Sequence, residues 1–263
     1  MMALVKGADL EIVEYLLQAE KGRKEVVKVT DKHPDLTVED AYKLQKCLIE
    51  QKMSEGSKRV GVKLGLTSKA KQQMMGINEA IYGYLLDDML AFEWEPLQYK
   101  TLIHPKVEPE IAFLIGDDLQ GTNVTAEDVL KATKYVAPAL EVIDSRYLNF
   151  KFTLPDVIAD NCSSSKFLLG SKWIDVKDID LANIGMVMSK NGKVATTGTG
   201  AAVLGHPAEA IAWAVNRLGL QNEGFKKGDI VLSGALSEAV AFKAGDSITA
   251  QFDDLGSVAM FCE

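Results

Sequence analysis

Three glutamates in this 263-residue chain are placed where carboxylates do chemistry. In HPKVEPEIAFLIG, residues 104–116, Glu108 and Glu110 lie two apart at the entry to an apolar run, and period-two strand geometry turns both to one face. Glu141 sits in a second apolar run, VAPALEVIDSR, among Ala139, Leu140, Val142 and Ile143. A carboxylate there is costly to bury unless something neutralises it. With no cysteine or adjacent histidine beside them, the three are hard oxygen donors suited to Mg²⁺ or Mn²⁺, with the remaining positions left to water and substrate. The alternative is that Glu108 and Glu110 are solvated edge residues and Glu141 pairs with a base such as Arg146.

A lysine and a polar loop are the other chemical features. In VGVKLGLTS, residues 60–68, Lys63 is flanked by Val60, Val62, Leu64 and Leu66. It either points outward to solvent or meets an anion, where it could bind a carboxylate or move a proton. IADNCSSSK, residues 158–166, reads first as a plain turn, the alternative being a loop whose Asp160, Asn161, Ser163, Ser164 and Ser165 hydrogen-bond a substrate's oxygens. Serine-histidine catalysis is poorly supported: no serine sits in a GxSxG elbow, and His33, His104 and His206 each precede proline, a loop-entry position. TGTGAAVLG, residues 197–205, does not match GxGxxG and follows a hairpin strand, so it reads as turn geometry or a close backbone approach to a ligand, not a dinucleotide loop. The pairs Asp87-Asp88, Asp117-Asp118 and Asp253-Asp254 read as solvated turns.

The elements that must position these groups are predicted to be of two kinds. Residues 1 to about 60 read as helical: Thr37 and Asp40 resemble a capping box, and Val38, Ala41, Leu44, Leu48 and Ile49 form one apolar stripe that ends at Gly56. From Val60 onward short strands dominate, with helices expected near 125–136 and 207–218. Asn191-Gly192 marks a hairpin, and strands DIVLSG and DSITAQF each follow a Gly-Asp turn. Strands bunched in this way predict an α+β fold over a doubly wound sheet.

Composition narrows the function classes. The chain is 47% apolar and 25% charged, with net charge −8 and bases interspersed among acids. This disfavours nucleic acid as a partner but leaves anionic small molecules open. Three unevenly spaced cysteines, Cys47, Cys162 and Cys262, read as reduced thiols. Acidic residues at 9, 11, 14 and 20 argue against a signal peptide, and no window is apolar enough for a membrane span, so a cytoplasmic protein is expected.

Taken together, VGVKLGLTSKAKQQMMGI, IYGYL, LIHPKVEPEIAF, ALEVIDSRYLNFKF, IADNCSSS and GTGAAVLGHP resemble, in order and over nearly the whole chain, the 2-hydroxypentadienoate hydratase and 4-oxalocrotonate decarboxylase family of the fumarylacetoacetase-like superfamily. The resemblance implies a β-rich roll or barrel-like mixed sheet of the fumarylacetoacetase C-terminal type, over residues 60–263, behind a small helical part at 1–59. It implies metal ligands at Glu108, Glu110 and Glu141, a catalytic lysine at Lys63, and a substrate pocket at Asp160, Asn161 and Ser163. Cys162 stands where relatives commonly carry alanine.

Hydratases of this family usually have an acid just before the aromatic-glycine pair that here is Tyr82-Gly83, and this chain has Ile81. Isoleucine cannot deliver or deprotonate water, so the resemblance points to Mg²⁺- or Mn²⁺-dependent decarboxylation of 2-oxo-3-hexenedioate, a keto-diacid of the meta-cleavage degradation of aromatic compounds. DSRYLNFKF also resembles the decarboxylase version. Hydration of 2-hydroxypenta-2,4-dienoate is the alternative; an inactive partner subunit and an acylpyruvate hydrolase are outsiders. No organic cofactor is needed, because the conjugated substrate is its own electron sink. A homo-oligomer and a complex with the hydratase are the expected assemblies.

Overall fold

The computed structural model of the chain describes residues 7–69, 72–73 and 77–263. The start of the expected helical segment, and residues 70, 71 and 74–76 of the VGVKLGLTSKAKQQMMGI block, lie outside the described residues. Two helices, α1 (Gly7–Gly22) and α2 (Val38–Ser54), precede the first strand. Thr37 caps α2 as expected, accepting from the Asp40 backbone N–H, and Ala41, Leu44, Leu48 and Ile49 are buried. The helical reading of residues 1–60 is corrected between these helices. Arg23 turns the chain at φ 51°, and Pro34 disfavours helical backbone at His33, so residues 23–37 form a link with a β-bridge from Val26 to Tyr147 and a short 3₁₀ turn at Val29–Asp31.

Strands β1 (Arg59–Gly65), β2 (Ile81–Leu86), β3 (Leu90–Ala91) and β4 (Lys106–Ile115) contribute to one nine-stranded mixed sheet. Beyond it in sequence lie β5 (Leu119–Gln120), the short helix α3 (Ala126–Ala132) and β6 (Thr133–Ile143). The helix expected to reach 136 stops at 132, because Thr133, Tyr135 and Val136 favour extended backbone and enter the sheet. After α4 (Leu154–Ala159) come β7 (Ser164–Leu169) and β8 (Ile174–Asp175). The hairpin β9 (Gly185–Lys190) and β10 (Lys193–Thr199) turns at Asn191-Gly192, where both residues have positive φ as a type I′ turn requires. Helix α5 (Pro207–Gly219) is followed by β11 (Gly224–Phe225), β12 (Ile230–Leu232), β13 (Val240–Ala241), β14 (Ser247–Phe252) and β15 (Gly256–Phe261).

The large sheet runs β2-β1-β12-β4-β6-β7-β3, with β13 on β4 and β8 on β6; β9, β10, β14 and β15 make a second sheet, and β5 pairs β11. Its two long central strands each contain a proline, which lacks the N–H a central strand needs on both edges. The register explains how they are tolerated. Pro109 falls where the second edge of β4 passes from β12 (at 112–114) to β13 (at 106–107), and Pro138 where that of β6 passes from β8 to β7. The sheet therefore splits and curves around the segment that carries Glu108, Glu110 and Glu141.

Close backbone approaches take up several glycines. A Cβ at Gly198 or Gly200 would lie 2.1 Å from Leu236 O or 1.7 Å from Leu181 O, so the TGTG segment packs on the protein's own backbone. Gly61 faces Ile230 across the parallel β1–β12 pair, where a Cβ would lie 1.8 Å from the Ile230 carbonyl oxygen. Gly61→Ala is expected to separate these strands and destabilise the chain by about 3 kcal/mol or more, read by urea unfolding. An unchanged midpoint would contradict this register.

Candidate metal centre and lysine

The β4–β6 register brings the acids together. Glu108 is directly opposite Glu141, and Glu110 lies one pleat further along the same face. The pairing of β1 with β12 and β12 with β4 carries Lys63 to that face, through Lys63 opposite Leu232 and Leu232 opposite Ala112. One carboxylate oxygen from each of Glu108, Glu110 and Glu141 lies within 4.8 Å of the others. Lys63 Nζ is 2.9 Å from Glu141 Oε2 and donates to the Cys162 carbonyl at 3.3 Å. Lys63 is 2% exposed, Glu110 and Glu141 are fully buried, and Glu108 is half-buried.

The surroundings orient each acid. The Gly234 N–H donates to Glu110 Oε2 at 2.7 Å, and Ser164 Oγ donates to Glu141 Oε1 at 3.3 Å. Glu110 Oε1 is buried with no hydrogen-bond partner among the described residues. Burial pushes Glu110 well above the ordinary carboxylate range, and the charge of Glu141 pushes the same way. Burial raises Glu141 too, against the pull of Lys63. For Lys63, burial works against the charged form, but Glu141 foremost, with Cys162, Glu108 and Glu110, overrides it and holds the ammonium above its usual value.

When all are ionised, three carboxylates and one ammonium leave two negative charges uncompensated in a largely buried site. The all-oxygen donor set, the partnerless Glu110 oxygen and this charge deficit fit one hard divalent cation.

The remaining predicted residues divide. Ile81 is buried and pairs with Gly65, while Lys63 pairs with Gly83, so Ile81 and Lys63 share one face of the β1–β2 pair. A Cβ at Gly65 would sit 3.0 Å from Ile81 Cγ1 and 4.0 Å from Lys63 Nζ, which sets isoleucine beside lysine. Ser163 Oγ is buried and without a partner among the described residues. The Asp160 and Asn161 side chains are engaged by the protein itself. Arg146 donates to both Asp160 oxygens, and Asn161 bonds the Tyr84 backbone through both ends of its amide. Burial raises Asp160 to about 6 although Arg146 pulls it down.

Arg146 therefore pairs with Asp160, not with Glu141 as the alternative had it, and Lys63 points inward, not to solvent. Of the histidines, His206 caps α5 by accepting from the Ala208 N–H, and His104 contacts Glu25 and the Ser145 carbonyl. The six aspartates of the three acidic pairs are exposed. Sequence reasoning missed Gly234, which acts through its backbone; Ser164, read only as part of the polar loop, donates to Glu141.

No helix among the described residues is long and apolar enough to cross a membrane. The chain is 42% identical, over 97% of both chains, to a 4-oxalocrotonate decarboxylase of Pseudomonas sp. (strain CF600). It is 41% identical to a 2-hydroxyhexa-2,4-dienoate hydratase of Comamonas testosteroni, over 92% of each. Among solved structures, the 4-oxalocrotonate decarboxylase from Pseudomonas putida G7, complexed with magnesium and adipate, superposes with a TM-score of 0.96 at 39% identity, over 100% of both chains. Residues 79–260 match the model of the fumarylacetoacetate (FAA) hydrolase C-terminal family, and with the fold built from this split mixed sheet, the chain belongs to that family.

Proposed function

We propose that the chain decarboxylates 2-oxo-3-hexenedioate (4-oxalocrotonate) to 2-hydroxypenta-2,4-dienoate and CO₂, with Mg²⁺ or Mn²⁺ held by Glu108, Glu110 and Glu141. The observation that carries this reading is the largely buried carboxylate triad beside Lys63, two negative charges in excess, which a divalent cation would bring to neutrality. The decarboxylase names of the relatives support it, as does adipate in the solved neighbour, a six-carbon dicarboxylate like the proposed substrate.

Loss of CO₂ sends the electron pair of the broken C5–C6 bond through the conjugated chain to the C2 oxygen. A divalent cation held by Glu108, Glu110 and Glu141 would supply Lewis-acid charge to offset the negative charge that develops there. Lys63 brings a second positive charge, either pairing with a substrate carboxylate or stabilising the dienolate. Ser163 supplies the loop's free hydroxyl to the substrate, while Asp160 and Asn161 shape the pocket wall through the backbone they fix. Ile81 presents an apolar surface beside Lys63 that keeps water from the dienolate.

The direct test adds purified protein and Mg²⁺ to the keto-diacid and follows CO₂. Water addition to the dienol without CO₂ release would replace this reading with hydration, the activity named for the Comamonas testosteroni relative. Ile81→Asp is expected to lower CO₂ release by about tenfold or more and to introduce measurable water addition, followed by dienol absorbance. Unaltered decarboxylation would remove Ile81 from the pocket. The same reading carries a cytoplasmic homo-oligomer that associates with the hydratase using its product, which light scattering of the two proteins alone and mixed would reveal.

A further inference from the structure

We infer that residues 161–163 form a strained clamp that positions Lys63, and that Arg146 is the positioning residue that holds the clamp shut. This rests on the catalytic role proposed above for Lys63. Asn161, Cys162 and Ser163 have φ of 47°, 53° and 57°, three consecutive non-glycine residues in left-handed backbone. L-residues visit this region singly, and a run of three persists only where surrounding contacts over-determine it.

Those contacts come from three sides. On the β2 side, the Asn161 amide bonds the Tyr84 N–H and C=O at 2.8 and 2.9 Å, and Cys162 Sγ donates to the Tyr82 carbonyl. From α2, the buried Gln45 donates to Cys162 Sγ at 3.8 Å, and to the Tyr82 and Ile158 carbonyls beside the turn. On the β6 side, the Asp144 N–H donates to the Ser163 carbonyl. Arg146, 4% exposed, donates to the Asp160 carboxylate, the Asp160 carbonyl and the Ser164 carbonyl.

The clamp has two outputs, both toward the candidate centre. The Cys162 carbonyl, aimed by the left-handed turn, accepts from Lys63 Nζ, and Ser164, just past the turn, donates to Glu141. The clamp thus acts on both members of the Lys63–Glu141 pair. It meets Lys63 through a main-chain oxygen, while the Cys162 thiol faces away to the Tyr82 carbonyl and helps hold the turn.

Three variants disturb the clamp by different routes. Arg146→Lys removes the planar fork. Asn161→Ala cuts the tie to β2. Gly83→Ala deletes no polar group but places a Cβ 2.7 Å from the Asn161 carbonyl oxygen, pushing the turn away. Met188→Ala, a buried site in the small sheet, controls for lost stability.

Each is assayed below its unfolding midpoint for CO₂ release, and for the rate at which trinitrobenzenesulfonate labels Lys63, read by peptide mass spectrometry. The expected result is a fall in kcat of about tenfold or more with KM within about twofold for the clamp variants that fold, since small misplacement of a reacting group costs rate before binding. Lys63, protected in the wild type, is then labelled at least about tenfold faster, while Met188→Ala changes neither readout. Clamp variants in which Lys63 stays as protected as in the wild type, or whose kcat falls no further than that of Met188→Ala, overturn the inference. Absence of CO₂ release from the wild type would sink the decarboxylase reading instead, and the labelling rates would still decide whether the clamp holds Lys63.

Discussion

Lys63→Met is expected to reduce kcat by about 10²–10⁴-fold, the range a positioned acid or charge contributes to such reactions, while leaving the divalent cation bound at least as tightly as in the wild type. The two effects separate because the ammonium plays opposite parts in them. Toward the substrate it adds positive charge where the leaving CO₂ deposits electrons. Toward the cation it is a like charge, 2.9 Å from one of the carboxylates that would bind the metal. Methionine keeps the length and apolar contacts of the lysine stem between Val62 and Leu64. Lys63→Arg is expected not to restore the rate, because a planar fork cannot reproduce a point charge where the lysine is packed to 2% exposure. Steady-state kinetics with Mn²⁺ titration by calorimetry checks both halves. A variant that retains wild-type kcat, or that loses the cation, would remove Lys63 from the role given to it.

Glu110→Gln is expected to move activity and stability in opposite directions. The substitution keeps shape and removes one charge from a group that burial and Glu141 already hold toward its neutral form. Mn²⁺ affinity should fall by more than about 100-fold and CO₂ release with it, because affinity for a hard cation follows the number of charged ligands. In chelator, where no cation offsets the excess of negative charge, the variant should melt at a higher temperature than the wild type, since one uncompensated buried carboxylate is gone. Glu141→Gln should lose the cation as well without the same gain, because Glu141 is the partner of Lys63 and its removal leaves a buried ammonium unpaired. Scanning calorimetry in chelator, with metal titration of each protein, reads both quantities. Glu110→Gln with wild-type affinity would place the cation elsewhere.

The candidate metal ligands drew notice because each broke a rule of its surroundings, and the family resemblance then singled them out. Glu108, Glu110 and Glu141 are carboxylates in apolar strands, and Lys63 is an ammonium in another, so burial alone made them expensive and worth explaining. Their mutual geometry was not legible. Lys63 meets Glu141 only because β1 pairs β12, β12 pairs β4 and β4 pairs β6, a chain of registers joining residues far apart in sequence. The same non-local pairing decided Arg146, which sequence proximity offered to Glu141 and the fold gave to Asp160.

Local signals fared according to how local they were. Asn191-Gly192 needs only its own two φ angles and turned as expected. The helix after Thr125 began at its cap but ended early, because the strand pairings of β6 claimed residues from Thr133 onward. Composition left the polar loop at 160–165 open between a plain turn and a set of ligand contacts. In the fold the Asp160 and Asn161 side chains face protein partners, which no count of polar residues distinguishes from facing a substrate.

The most direct measurement is CO₂ release from 2-oxo-3-hexenedioate by protein stripped of divalent ions with a chelator, then dialysed and resupplied with Mg²⁺. Turnover that disappears on stripping and returns with Mg²⁺ in the wild type, but not in Glu110→Gln, is the predicted result. Turnover that continues undiminished in the stripped protein would contradict the assignment of Glu108, Glu110 and Glu141 to a catalytic cation.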